Sequence, residues 1–331
     1  MRAALFVCGL FLLGFALPAL PLQQEAPASP PPRPVQEPLK SRSELLVVQA
    51  SVEDPAGNFR GDLTQPQFRV LDDGAEQKIA IFDSIESPAH IAVLIETSPA
   101  LYLIQSQHLA AAYALLDGLA PDDQIALATY DQSARLVLDF TSDRPAITRA
   151  LDNLQYFLGM GDLNFYDAVN STVAWLPAGI EKKAVVLLST GLDTSTQERW
   201  NELQRRLESS DATVFTVGLG GSVRNYKPKK SAQNHQPTFE RANQALREIA
   251  RITGGRSYFP SLPDDFVSAY REISAQLRHQ YLLAYPLPAH DGRMHSIEVR
   301  ILSDRGKVLG ATGPVSGLRV FARQSYLAPA N

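Results

Sequence analysis

Four short, uninterrupted apolar runs constrain the fold more than any other feature: "HIAVLIE", "DQIALATYD", "KKAVVLLST" and "ATVFTVGLG", the first starting at His90 and the last ending at Gly220. A strand without polar alternates is a strand covered on both faces. Helically spaced stretches lie between the runs. "YLIQSQHLAAAYALLDGL" sets Leu103, Leu109, Ala112, Leu115 and Leu116 on one side, and "FYDAVNSTVAWL" does the same with Phe165, Ala168, Val169, Val173 and Leu176. "FERANQALREIARITGG" keeps helical spacing until Gly254-Gly255, a C-terminal cap signal. Strand–helix alternation of this kind predicts an α/β fold with a doubly wound, mostly parallel sheet. The exception is "ARLVLDF", so close behind "IALATYD" that only an antiparallel hairpin fits.

The flanks read differently. Leu46, Val48, Ala50 and Val52 alternate with Val47, Gln49, Ser51 and Glu53, the pattern of a half-buried strand. "FRVLDDGAEQKIAIF" is two alternations joined at Asp72-Asp73-Gly74, a hairpin signal. After Gln280, "YLLAYPL", "SIEVRI" and "GLRVFARQSY" are strands again. Neither flank buries a second layer alone, so the two are expected to pack as one discontinuous β-sandwich around an inserted α/β domain. The expected divisions are a signal peptide over 1–22, a Pro-rich linker over 23–43 and a β module over 44–86. The α/β domain then runs over 87–280, and strands returning to the first module fill 281–331.

"MRAALFVCGLFLLGFALPAL" has the layout of a secretory signal, with an uncleaved membrane anchor as the alternative. The chain is therefore expected outside the cytoplasm, secreted or periplasmic, with no membrane insertion beyond that segment. The single cysteine, Cys8, falls inside it. The mature chain then has no thiol for a disulfide, a metal site or a nucleophile. A net charge of −4, from 31 Lys and Arg against 35 Asp and Glu, gives no electrostatic reason for a nucleic-acid partner.

Three separated stretches carry a resemblance. They are "ASVEDPAGNFRGDLTQPQFRVLDDGAEQKIAIF"; the trio "IAVLIETSPA", "NFYDAVNSTVAWL" and "VVLLSTGLDTS"; and "LREIARITGGRSYFP" followed by "AQLRHQYLLAYPL". In this order they resemble von Willebrand factor type A (VWA)-related proteins of the acidobacterial type. The resemblance implies a Rossmann-like VWA domain, whose relatives hold a divalent cation at the carboxyl end of the sheet. The ligands there are Asp-x-Ser-x-Ser, a Thr on a second loop and an Asp after a later strand. Carried onto this chain, those positions are Glu96, Ser98, Ala100, Leu163 and Thr190. Only Ser98 is unchanged. Glu96 displaces the charge by a methylene, Ala100 and Leu163 remove oxygens, and Thr190 removes a carboxylate, which suits the near-octahedral demands of Mg²⁺ badly. Asp162 and Asp193 neighbour lost positions and could serve a more permissive cation such as Ca²⁺.

Other signals are weaker. The six histidines have no zinc spacing, and "GLGGS" lacks the remainder of a phosphate loop. Asp122-Asp123 reads as a helix-to-strand turn. Asn170-Ser171-Thr172 matches a glycosylation sequon but falls on a predicted helix. "SVRNYKPKKSAQNHQP" reads as a solvated polar loop. No catalytic constellation is visible. The expectation is a non-enzymatic, cofactor-free module that binds a protein partner. Its contact residues would be Glu96, Ser98, Asp162, Asn164 and Asp193, grouped at the carboxyl end of the sheet. One alternative is metal-dependent adhesion with Glu96, Ser98 and Asp193 as ligands; another is a hydrolase on the same sheet.

Overall fold

The computed structural model describes residues 45–83, 87–102, 105–156, 162–194, 197–219, 236–313 and 317–330. The expected signal segment and linker lie outside them, as does most of the polar loop before Gln236.

The α/β sheet has six strands: β5 (Ala89–Glu96), β6 (Gln124–Tyr130), β7 (Ala134–Thr141), β8 (Lys182–Ser189), β9 (Thr213–Gly218) and β10 (Ser257–Tyr258), in the order β10-β9-β8-β5-β6-β7. All neighbours are parallel except β6 and β7, the antiparallel hairpin expected from "ARLVLDF". Alternate residues of each apolar run face opposite layers. Beyond the one-turn α1 (Pro99–Tyr102), Ile91, Val93 and Ile95 of β5 meet α2 (Gln105–Gly118), α3 (Arg144–Asp152) and α7 (Pro263–Arg278). Ala92 and Leu94 meet α4 (Phe165–Trp175), α5 (Gln197–Ser209) and α6 (Gln236–Thr253). Both faces being covered removes any need for polar alternates, which is why these strands read as continuous apolar runs. The helix α6 ends as its glycines indicate: Gly254 takes φ 78°, and Gly255 N donates to the Ala250 carbonyl at 2.9 Å.

The flanking strands pair with one another, as expected, and form one continuous hydrogen-bonded sheet. β1 (Leu45–Glu53), β2 (Phe68–Asp72), β3 (Ala75–Gln77), β4 (Ile81–Asp83), β11 (Gln280–Pro286), β12 (Met294–Leu302), β13 (Val308–Thr312) and β14 (Leu318–Ala322) run in the order β3-β2-β12-β13-β14-β1-β11-β4. A last strand, β15 (Ser325–Leu327), pairs with β12. Val48, Phe68, Tyr281, Val299 and Val320 from five of these strands share one core. The Asp72-Asp73-Gly74 turn joins β2 to β3, with Asp73 at φ 46° and Gly74 at φ 81°, the double positive φ of a two-residue hairpin. The hairpin is shorter than its apolar pattern: β4 leaves it and pairs with β11.

One expectation is overturned. β1 is not half-buried: from Val47 to Glu53 every residue is buried. Its polar alternates are the joint to the α/β unit. Gln49 Nε2 donates to the carbonyls of Lys183 at 2.8 Å and Asp211 at 2.7 Å, and Gln49 Oε1 accepts from Lys183 N at 3.0 Å. Ser51 Oγ accepts from Gln276 Nε2 at 2.8 Å. Buried polar groups are tolerated where each finds a partner. Here the partners lie 134 or more residues away.

Candidate functional site

Glu96 is the last residue of β5, at the carboxyl end of the sheet, where open α/β sheets place their ligands. It is fully buried, and both carboxylate oxygens are engaged. Oε1 accepts from Ser98 Oγ at 2.5 Å. Oε2 accepts from Thr190 N at 2.7 Å and Thr190 Oγ1 at 2.8 Å, and lies 3.0 Å from the Tyr130 hydroxyl and 3.1 Å from Ser189 Oγ. The two hydroxyls are themselves 2.6 Å apart, so two protons serve three short contacts. Burial foremost, with the Glu96 charge next, raises the Tyr130 phenol well above its usual range, which keeps its proton in place.

These donors come from the ends of three adjacent strands. Tyr130 ends β6 and Ser189 ends β8, the neighbours of β5 on either side. Thr190 follows Ser189 directly, and Ser98 lies two residues past Glu96. Ser189 Oγ also accepts from Gly191 N at 2.7 Å, which tightens the turn after β8. The sequence marks Thr190 only as a lost carboxylate. In the structure it supplies two donors to the carboxylate that remains. Nothing in the sequence singles out Tyr130, because a tyrosine at the end of a buried strand has no spacing signature.

Of the other expected residues, Asn164 and Asp193 tie together the loops at this end of the sheet. Asp193 Oδ2 accepts from Tyr166 N at 2.9 Å, at the first turn of α4, where a carboxylate meets unsatisfied N–H groups. Burial, and after it the Asp193 charge, raises the Tyr166 phenol, and the same charge adds a smaller push at Tyr130. Asn164 precedes α4; its N donates to the Asp131 carbonyl at 3.1 Å and its Nδ2 to the Gln132 carbonyl at 2.6 Å. Asp162 is exposed. Leu163 turns its carbonyl to Thr194 N at 2.9 Å, which ties the loop before α4 to the loop after β8. On the same rim Arg135 clasps Asp131 through two contacts, 3.0 and 2.6 Å long. Tyr102, just past the Ser98 turn, is 52% exposed, and Leu262, past β10, is 63% exposed.

Among the described residues, only Asp72, Asp73 and His295 form a group of three potential metal-ligand side chains whose ligand atoms all lie within 4.8 Å of one another. It sits at the hairpin turn of the β unit, away from the sheet's carboxyl end. Its groups are already matched: His295 Nδ1 lies 2.8 Å from Asp73 Oδ2 and Nε2 3.0 Å from Asp291 Oδ1, while Asp72 Oδ2 accepts from Tyr285 at 2.9 Å and Tyr326 at 3.0 Å. Asp123, read from sequence as a turn residue, is one: its carboxylate accepts from Ala89 N and Ala120 N, both at 2.8 Å. The Asn170 sequon lies within α4, where Thr172 is buried and Asn170 Oδ1 accepts from Arg206 Nε at 2.9 Å. No helix among the described residues is long and apolar enough to cross a membrane.

A parallel sheet in this strand order, wound on both faces and carrying a polar rim at its carboxyl end, defines an α/β protein of the Rossmann-like kind. The von Willebrand factor type A domain family matches residues 91–262, just over half of the chain, and the chain belongs to that family. A UPF0353 protein of Nocardia farcinica (strain IFM 10152) is 24% identical over 182 residues, covering 50% of this chain and 54% of the relative, so the match spans about half the relative's length. Among solved structures, a von Willebrand factor type A protein from Catenulispora acidiphila is similar at 12% identity and a TM-score of 0.46, over 86% of this chain and 75% of that one. An aerotolerance-related membrane protein from Bacteroides fragilis NCTC 9343, carrying multiple mutations to serines, is similar at 16% identity and a TM-score of 0.43, over 57% and 98%.

Proposed function

We propose that this chain is an exported, non-enzymatic module that binds a protein partner through the carboxyl-end rim of its sheet without a bridging metal ion. The observation that carries the reading is the Glu96 carboxylate. Five hydrogen bonds from this chain's own groups occupy it, so it has little capacity left for a cation. Ala100 and Leu163 bring no side-chain oxygen. This donor set does not suit Mg²⁺, which needs near-ideal octahedral oxygen ligation. Full burial, with Oε2 crowded by donors and Oε1 held by Ser98, keeps this carboxylate from an incoming substrate or water, which counts against the hydrolase reading.

Glu96 and Ser98, being buried, hold the rim together rather than touch a partner. Contact falls to Asp162, Asn164 and Asp193, with Tyr102 and Leu262 as exposed apolar anchors. Aromatic and aliphatic anchors within a polar surround are the usual composition of a binding surface. The test is capture of the partner from an extracellular fraction in the presence of EDTA. Retention in EDTA and loss in the Asp162→Ala/Tyr102→Ala variant are expected. Binding that needs Mg²⁺ or Ca²⁺, and that Glu96→Ala abolishes with the fold intact, would overturn the reading in favour of metal-dependent adhesion.

A further inference from the structure

We propose that the seam where β14 parts from β1 is a docking slot for an extended, uncharged apolar peptide of a partner protein, received as an added strand. The slot lies at the amino end of the α/β sheet, and the proposal does not depend on how the opposite rim functions. On one edge β1 pairs with β11 from Leu45 to Ser51; on the other, β14 accompanies it only from Ala50 to Glu53. Successive residues of an antiparallel strand turn their backbone groups to opposite edges. Ala284 turns its carbonyl to Ala80 N, 2.8 Å away on the β4 side. Val47, which faces Ala284, therefore turns its N–H and C=O away from β11, and Leu45 does the same. β14 is not there to meet them.

The opposite wall has the same character. Gln324 O accepts from Ile297 N at 2.8 Å and Ala328 N donates to Arg293 O at 2.9 Å, so Leu327 between them turns its backbone groups away from β12. Among the described residues neither Val47 nor Leu327 has a partner for those groups. The seam is held open at Arg323, where the chain crosses from β14 to β15. This buried guanidinium reaches to the last turn of α5, donating to the carbonyls of Glu208 at 2.7 Å, Leu207 at 3.3 Å and Ser210, and back to Ser325 O at 2.9 Å.

The seam opens into a groove of about 770 Å³, lined by Leu45, Val47, Leu176, Leu287, Leu327 and Pro329 among others. Its charged lining is already engaged: Lys183 pairs with Asp211 at 2.6 Å, Glu208 Oε1 accepts from Gln204 Nε2 at 2.9 Å, and Arg323 is held by carbonyls. An apolar trough with unpaired backbone groups along both walls fits an extended chain. Main-chain hydrogen bonds would supply affinity and alternate side chains would fill the trough. A buried backbone group without a partner is otherwise costly.

The test uses the ¹⁵N-labelled full chain and a pool of blocked hexapeptides alternating apolar residues with Ser or Thr. Saturable shifts and slowed amide exchange at Val47 and Leu327 are expected. Methylating alternate peptide nitrogens should weaken binding about tenfold or more, the worth of two backbone hydrogen bonds. Ala178→Trp, at an exposed position on the groove wall, should block binding without disturbing the core. Three results would each overturn the proposal. One is the absence of shifts at Val47 with every peptide. Another is equal binding of the methylated peptides, which would mean a pocket for any apolar ligand. The third is full protection of Val47 before peptide is added, which would mean that this chain or a second copy already fills the slot.

Discussion

The Tyr130 hydroxyl lies 3.0 Å from Glu96 Oε2 and 2.6 Å from Ser189 Oγ, joining the ends of β5, β6 and β8 through one buried carboxylate. Donors of the chain itself join these three strand ends, where the resemblance implied a cation. That difference sets the first two predictions.

Glu96→Gln replaces one acceptor oxygen with an amide that donates. Facing Thr190 N, Thr190 Oγ1 and the two hydroxyls, the amide leaves at least one buried donor unmatched. The expected cost is about 1–3 kcal/mol, read from urea denaturation. Tyr130→Phe should cost less, about 1 kcal/mol, because Ser189 can still donate to Oε2. A Glu96→Gln protein as stable as wild type would show that these bonds contribute nothing net.

Restoring the missing oxygens should restore the ion. A variant carrying Glu96→Asp, Ala100→Ser, Leu163→Thr and Thr190→Asp is expected to bind Mg²⁺ saturably by calorimetry, where the parent shows no saturable heat. It should also be less stable than the parent until the metal is added, since two carboxylates then share one buried site. Equal metal affinity in parent and variant would show that the Glu96 network does not exclude a cation.

Arg323 is a buried cation with no carboxylate partner among the described residues, anchored to α5 carbonyls and favoured there by the negative end of the helix dipole. Burial pulls its pKa down to about 10, with nearby acids and phenols opposing, so it stays charged at neutral pH. Arg323→Met leaves several carbonyls without donors and should cost about 3 kcal/mol or more. Arg323→Lys should recover only part of this, since one ammonium cannot span the guanidinium's fan of contacts. Thermal denaturation of both variants checks the order.

His295 predicts a pH dependence. With a carboxylate at each ring nitrogen, both nitrogens donate and the imidazolium is favoured. Its pKa rises above 6.5, chiefly through the bond to Asp291 and then the bond to Asp73. A group whose folded pKa is raised contributes stability fully below its unfolded pKa and loses it as pH climbs through the folded value. The carboxylates act in the opposite sense: Asp73 and Asp291 are lowered from 3.8, so their contribution fades in acid. The denaturation midpoint should therefore be highest between roughly pH 4 and 6.5 and fall toward pH 9. His295→Gln should flatten the alkaline limb. An unchanged limb in that variant would assign the pH dependence to other groups.

The particular elements show where local pattern suffices. The four apolar runs, the Gly254-Gly255 stop and the Asp72-Asp73-Gly74 turn are each decided by residues adjacent in sequence. Burial on two faces and positive φ leave marks that need no distant partner. β1 shows the opposite case. Its alternation matches a strand with one wet face, yet Gln49 and Ser51 are sealed against Lys183, Asp211 and Gln276. Nothing local distinguishes a polar face turned to water from one turned to matched polar partners.

The candidate site divides in the same way. The sequence alone determined which oxygens Ala100 and Leu163 lack and placed Glu96 at a strand's carboxyl end. Only the tertiary structure decided what that carboxylate does. Tyr130 and Ser189 reach it because parallel pairing stacks the ends of β5, β6 and β8 side by side, a register set by burial over the whole sheet. A hydrogen bond acts over about 3 Å, and only the folded chain brings groups 34 and 93 residues apart to within that distance.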